Sequence, residues 1–205
     1  MSDLARPSKF DRDEAVDTAM EIFWREGYEA CSVKALSERL GITRSSFYNA
    51  FGSREELFRE ALTRYGEQAP DRAFARDPAS AGSVRRLITQ TFRAACHARA
   101  TDPDAKGCFS VKSVAELCNR DEALGPMLDE MIQANVARLE RLLEFGKATG
   151  ELSSGLDPHA TALALKTVLV GLNVVCKVIR EEDELWLSAR TALKALDLFE
   201  EDTAA

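Results

Sequence analysis

Between residues 32 and 51 the chain reads SVKALSERLGITRSSFYNAF, and the second half of that stretch gathers groups able to bond to a nucleic acid: Thr43, Arg44, Ser45, Ser46, Tyr48 and Asn49. Small hydroxyls allow close approach to base edges, guanidinium and amide groups offer donors in fixed geometry, and a phenol can reach a phosphate oxygen. Such groups act together only when one short, rigid element carries them. Gly41 separates this run from an apolar one at Val33, Leu36 and Leu40, so the pattern predicts two helices joined by a tight glycine turn, the second lying in a DNA major groove. Arg44, Ser45 and Asn49 are expected to face base edges, while Phe47 and Phe51 belong to the core.

A second chemistry centres on Cys108, which follows Lys106 and Gly107 and precedes Lys112. A thiol at a helix N-terminus beside cations is a candidate nucleophile and a candidate site of oxidation. Lys166, Asn173 and Lys177 are spaced seven and four apart, which sets them on one face of an otherwise apolar helix, where they can line a pocket. Two other readings stand beside this one. Cys108 packs under its loop while Lys166 and Lys177 reach solvent or pair with Glu181 and Glu182; or a small-molecule pocket is walled by Phe92, Phe109 and Met131, with Met127 and Phe145. His97 next to Cys96, with Asp102 or Asp104, fixes no tetrahedral ligand set, so no metal is assigned.

The elements that must position these residues follow from a 3.6-residue apolar period that recurs along the chain, with no convincing strand pattern. The fold class is all-α, with about nine helices. Asp11 and Glu14 have capping-box spacing ahead of Ala15, Ala19, Ile22 and Phe23, which predicts a helix over 11–26 stopped by Gly27. Ser32 and Thr43 are N-caps for helices over 33–40 and 44–50, and Ser53 with Glu56 opens a fourth. The Pro- and Gly-containing stretch 66–82 reads as a linker, dividing a 1–65 domain from an 83–205 domain. Beyond it, helices are predicted over 84–98, 108–119, 122–149, 157–180 and 183–200, with Pro126 and Pro158 each in a first turn.

Composition sets the outer limits. With 205 residues, 45% of them hydrophobic and 30% charged, the chain is expected to be globular, with a true core. Its net charge of −7 disfavours nucleic acid only if spread evenly; residues 1–65 are close to neutral and most of the acidic excess lies further along. The first thirty residues are charged throughout and hold no signal-peptide core, and five cysteines without a CxxC pair read as free thiols in a cytoplasmic protein. The apolar stretch 160–179 has the length of a membrane span, but Lys166, Asn173 and Lys177 interrupt it; a helix shared between its own domain and a second subunit is expected instead. No phosphate-binding glycine loop, HExxH or GxSxG is present, so neither an enzyme nor a cofactor is expected.

The run GITRSSFY at 41–48, followed by FGSREEL at 51–57, resembles the DNA-binding signature of the TetR (tetracycline repressor) family, over residues 9–62. The resemblance implies a homodimer that binds a palindromic double-stranded operator, usually as a repressor, dimerising through the helices at about 157–180 and 183–200. It places Tyr48 on phosphate, Ser32 and Arg54 at the edges of the recognition unit as caps or backbone contacts, and Lys9 as a further phosphate contact. Ala50 and Arg54 depart from the histidine or tyrosine and the lysine often found there, which puts one phosphate contact in doubt. KGCF at 106–109, with Glu116 and Leu117, is similar to a branch whose members respond to electrophiles and oxidants. In those a lysine on the dimer-forming helix can bond to the oxidised cysteine, a role that falls to Lys177 here. An all-α thiol-dependent redox enzyme and a helical interaction protein without DNA binding are the alternatives.

Overall fold

A computed structural model describes residues 10–80 and 82–201. Among these there are nine α-helices, two short 3-10 helices and no strand. The chain divides into two compact units, residues 1–65 and 66–205.

The first unit holds α1 (Arg12–Glu26), α2 (Val33–Arg39), α3 (Arg44–Phe51) and most of α4 (Arg54–Gln68). Each boundary has a side-chain or glycine cause. The Asp11 carboxylate accepts from the N–H groups of Asp13 and Glu14 at 2.9 and 3.2 Å, capping α1. Gly27, at φ 94°, ends it. Thr43 Oγ1 accepts from Ser46 N–H at 3.1 Å and opens α3, which is turned sharply from α2 because Gly41 takes φ 66°. Ser53 Oγ accepts from Glu56 N–H at 3.0 Å and opens α4. Phe23, Tyr28, Leu36, Phe47, Leu57 and Phe58 are fully buried, and Phe58 meets Phe23 and Tyr28 edge-on at 5.1 and 4.9 Å between ring centres.

The second unit contains α5 (Val84–Ala100), α6 (Phe109–Leu117), α7 (Gly125–Ala148), α8 (Pro158–Val175) and α9 (Glu182–Ala195). Its core joins Ile88, Phe92 and Cys96 of α5 to Leu139 and Leu143 of α7, Leu165 and Leu169 of α8, and Leu185 and Leu193 of α9. Asp157 caps α8 through Ala160 N–H at 3.1 Å, with Pro158 in the first turn. Glu151 closes the start of α5 from outside, its carboxylate accepting from the N–H groups of Val84 and Arg85 at 2.9 and 2.8 Å.

Several boundaries differ from the sequence expectation, each for a local reason. The stretch 66–82 is folded over most of its described length: residues 66–68 complete α4, Pro70–Ala75 and Pro78–Ser80 are 3-10 helices, and Phe74 is buried in the second unit's core. One aromatic anchor outweighs a composition that reads as linker. α8 stops five residues short of 180: Lys177 and Val178 N–H turn back to Val174 and Val175 O at 3.2 and 2.9 Å, where β-branched residues crowd a helix. α9 ends at Ala195 rather than near 200 because Asp197 takes φ 56° while Leu198 N–H bonds Leu193 O at 2.9 Å, the six-residue closure of a Schellman end. α7 starts at Gly125 because Asp121 first accepts from the N–H groups of Ala123 and Leu124 at 2.9 and 2.7 Å. α8 is the one described helix long and apolar enough to cross a membrane, yet Ala162, Leu165, Leu169 and Leu172 are buried within the second unit.

Candidate functional site

In the first unit the site is α3. Phe47 is fully buried and Phe51 nearly so, their rings 5.3 Å apart, and together they root the helix. With that face pinned, Thr43, Arg44, Ser45, Ser46, Tyr48 and Asn49 all project outward and are exposed, Tyr48 by 53%. Thr43 Oγ1 and Ser46 Oγ lie 2.9 Å apart, so these two hydroxyls also hold each other. The result is a short rod with one greasy and one polar face, the latter dense in donors.

Two edge residues are placed by the same packing. Ser32 Oγ accepts from Ala35 N–H at 3.2 Å, so Ser32 is the cap of α2 and remains exposed. Arg54 turns inward: its guanidinium lies 3.8 Å from the centre of the Tyr28 ring, and Nη1 donates to Cys31 O at 3.3 Å. It braces the turn that leads into α2. The Tyr28 hydroxyl donates to Glu55 at 2.8 Å; burial, with that carboxylate, pushes the phenol's pKa up, while Glu55 is held below the usual carboxylate range by backbone and Tyr28 hydrogen bonds. Lys9 lies outside the described residues.

In the second unit the structure brings together most of the predicted sensing residues. Cys108 is the N-cap of α6 and is buried. It borders a cleft of about 20 Å³ with Lys166, Asn173, Arg99 and Asp71, between walls that include Val111 and Leu169. Lys166 Nζ stands 3.9 Å from Asp71 Oδ2, and its side chain is only 12% exposed. Arg99, 6% exposed, donates through Nε to Asn173 Oδ1, while Asn173 Nδ2 donates to Leu169 O at 2.7 Å. Gly107 is needed here on two counts: φ is 75°, and a Cβ would stand 2.5 Å from Asn173 O. The same hypothetical Cβ would be 3.7 Å from Lys177 Cε, so the stem of the exposed Lys177 runs beside the Gly107 turn.

Other expected residues are not part of this cleft. Phe92 and Phe109 are fully buried in packed core and Met131 is half-buried; none of the three borders it. The remaining thiols are unequal: burial raises the Cys96 pKa to about 12; burial also pushes the Cys176 thiol up, opposed there by Arg99, Arg180 and Lys177. His97 pairs with Glu182 at 2.8 Å, and among the described residues no cluster suits a metal ion.

Sequence reasoning did not single out Arg99, Asp71 or Arg180. Arg99 left a signal, because Ile88, Phe92, Ala95 and Arg99 occupy one helical stripe and the first three are apolar. A charge at the end of such a stripe marks a buried polar site. Arg180 donates to Asp102 O, and its Nη1 is buried with no described partner. It sits in the turn that ends α8, which sequence read as helix.

A helix-turn-helix with an outward polar rod, joined in one chain to a helical unit with an enclosed polar cleft, defines a class of regulatory protein. Comparison with known proteins identifies the family: residues 15–61 match the model of bacterial regulatory proteins of the tetR family, and residues 83–192 match the tetracyclin repressor-like C-terminal domain. The chain belongs to the tetR family. It is 28% identical over 189 residues to the HTH-type transcriptional repressor ComR of Escherichia coli, covering 92% of this chain and 90% of that protein. It is 30% identical over 200 residues to the uncharacterized HTH-type transcriptional regulator YezE of Bacillus subtilis, covering 95% and 100%. Among solved structures, a cysteine mutant of the TetR family regulator CifR, complexed with 26-bp double-strand operator DNA, is 32% identical with a TM-score of 0.82, covering 93% of this chain and 99% of that one.

Proposed function

We propose that this protein is a homodimeric, cytoplasmic transcriptional repressor, not an enzyme, that holds a palindromic operator through α3 and lets it go when an effector engages the cleft at Cys108. The observation that carries the DNA half is the face of α3: Thr43, Arg44, Ser45, Ser46, Tyr48 and Asn49 all exposed on a helix rooted by buried Phe47 and Phe51. That arrangement suits base edges for the small and amide side chains and phosphate for the phenol. The DNA-bound CifR relative supports the same assignment.

The dimer reading rests on apolar side chains left uncovered on α8, on the turn after it, and on α9. Leu163, Val174, Val175, Val178, Ile179 and Leu187 are all exposed, Val178 by 84%; a second copy of the same surface would cover them. Two subunits then present two α3 rods to successive major grooves, which requires a palindrome.

For release, Cys108 is the thiol that borders the polar cleft, whereas burial raises the pKa of Cys96 and of Cys176. A mild electrophile adds to the Cys108 sulfur, whose proton passes to solvent, or a peroxide oxidises the thiol by two electrons to a sulfenic acid, which condenses with the Lys177 amine to an S–N bond with loss of water. Gel retardation across a salt series tests the DNA half: affinity should fall steeply as salt rises, as phosphate contacts demand. Cys108→Ser should keep DNA binding and lose release by a mild electrophile; release that persists in this variant refutes the thiol assignment.

A further inference from the structure

The two ends of α3 are held by different means. At its start Thr43 accepts from Ser46 N–H within the helix itself. Its last turn carries no basic residue of its own, and the final carbonyls of a helix have no partner inside it. One of these carbonyls is met from another helix: Arg12 Nε donates to Ala50 O at 3.1 Å. Nη2 of the same guanidinium meets Glu60 Oε1 on α4 at 2.6 Å, and its central carbon lies 5.4 Å from the centre of the Phe51 ring. A single side chain thus joins α1, α3 and α4.

For α1 this arginine is in an awkward place. It is the first residue of that helix, where the positive end of the helix dipole favours carboxylates such as the neighbouring Asp13 and Glu14. For α3 the same charge is well placed, because it meets the negative end. The ion pair adds little to stability, since the Arg12 and Glu60 side chains are 47% and 37% exposed. What the contact fixes is direction. Phe47 and Phe51, one turn apart, root α3 along a line on its surface, which sets its depth but leaves a rocking motion about that line; a bond to the carbonyl at the helix end removes it. We propose that Arg12 is a positioning residue for DNA reading: it sets the tilt of α3, and so the angle at which Arg44, Ser45 and Asn49 enter the groove, without touching the duplex.

Tilt matters unequally to the two kinds of DNA contact. Hydrogen bonds to base edges weaken steeply with angle and carry the sequence information, whereas phosphate contacts tolerate a shift and carry none. Loss of Arg12 therefore costs discrimination between sequences and leaves general attraction to the duplex in place. This rests on the reading of α3 as the DNA-binding helix, and it adds a residue on another helix that determines how sharply α3 reads.

The test uses the full-length protein and fluorescence anisotropy over a salt series, with an operator duplex selected by the parent protein and a random duplex of equal length. Arg12→Gln should bind the operator about tenfold more weakly, bind the random duplex like the parent, keep the parent's salt dependence and melt at the parent's temperature. A direct phosphate contact would instead weaken both duplexes alike and lower the salt slope by about one; that pattern overturns the proposal. Glu60→Ala should give a smaller loss of the same kind, and the double variant should be no worse than Arg12→Gln alone, because both substitutions break one junction; losses that add in full overturn it. Arg64→Gln, which removes ion pairs between α4 and Asp13 and Asp17 of α1, should bind the operator like the parent, and a loss equal to that of Arg12→Gln would trace the effect to α1–α4 packing and overturn the assignment. Without DNA, hydrogen–deuterium exchange over residues 48–52 should be faster in Arg12→Gln. Should the parent bind no duplex, the DNA reading fails instead, and the exchange still decides whether Arg12 holds the end of α3: an unchanged rate there overturns it.

Discussion

The two units of this chain place their polar side chains in opposite ways. Along α3 the hydroxyls, the amide and the guanidinium of Arg44 stand in solvent, held up by Phe47 and Phe51 beneath. Around the second unit's cleft, Arg99, Lys166, Asn173 and Cys108 turn inward and bond or crowd one another. On the proposed function, the difference separates reading from sensing. A surface that reads a duplex must be stiff and already exposed, with water its only competitor, whereas a cleft that senses a small molecule must have its charges withdrawn from water beforehand, so that a ligand of the right sign makes a large difference.

That contrast can be broken from either side. The largest effect is expected for Phe47→Ala, which empties the root of α3 and should cost about 3–5 kcal/mol by urea unfolding, taking DNA binding with it. Arg44→Ala should instead leave the unfolding curve alone and lower operator affinity by about 1–3 kcal/mol in equilibrium titration. If the two variants behaved alike, root and reading face would not be separable. Removing the Asp157 cap of α8 with Asp157→Ala should cost the second unit about 1 kcal/mol in a melting experiment without changing operator affinity in the absence of effector. A pH series sharpens the picture of the first unit. The Tyr28 phenol has its pKa raised, so the neutral form is favoured in the fold; its contribution is fully present below the ordinary phenol value of about 10 and is lost as pH rises beyond it. Tyr28→Phe should flatten the alkaline limb of the first unit's stability and leave that of the second as it was.

The first unit was almost fully legible in the sequence, because its signals are local. Asp11, Ser32, Thr43 and Ser53 each cap a helix within three residues of themselves, and Gly27, Gly41 and Gly52 mark the stops. Arg54 is the exception: a position read as a possible backbone contact is spent on Tyr28 and Cys31, a consequence of tertiary packing between residues more than twenty apart. In the second unit the helices and their apolar faces could be read, along with Cys108, Lys166 and Asn173, but not what completes the site. Asp71 was hidden in a stretch that composition marks as linker, and Arg99 on a face that periodicity marks as core. The early end of α8 was equally hidden, since residues 176–180 continue an apolar helical pattern and only their tertiary setting turns them back.

The account turns on α3 being a DNA-reading element used twice by a paired molecule, and selection from a library of random duplexes by the purified protein tests that most directly. The expected product is a palindrome of two half-sites spaced about one helical turn apart, bound by a dimer and no longer enriched by the Arg44→Ala protein. A library that emerges unenriched at low salt, or an enriched sequence that the Arg44→Ala protein selects equally well, would contradict it.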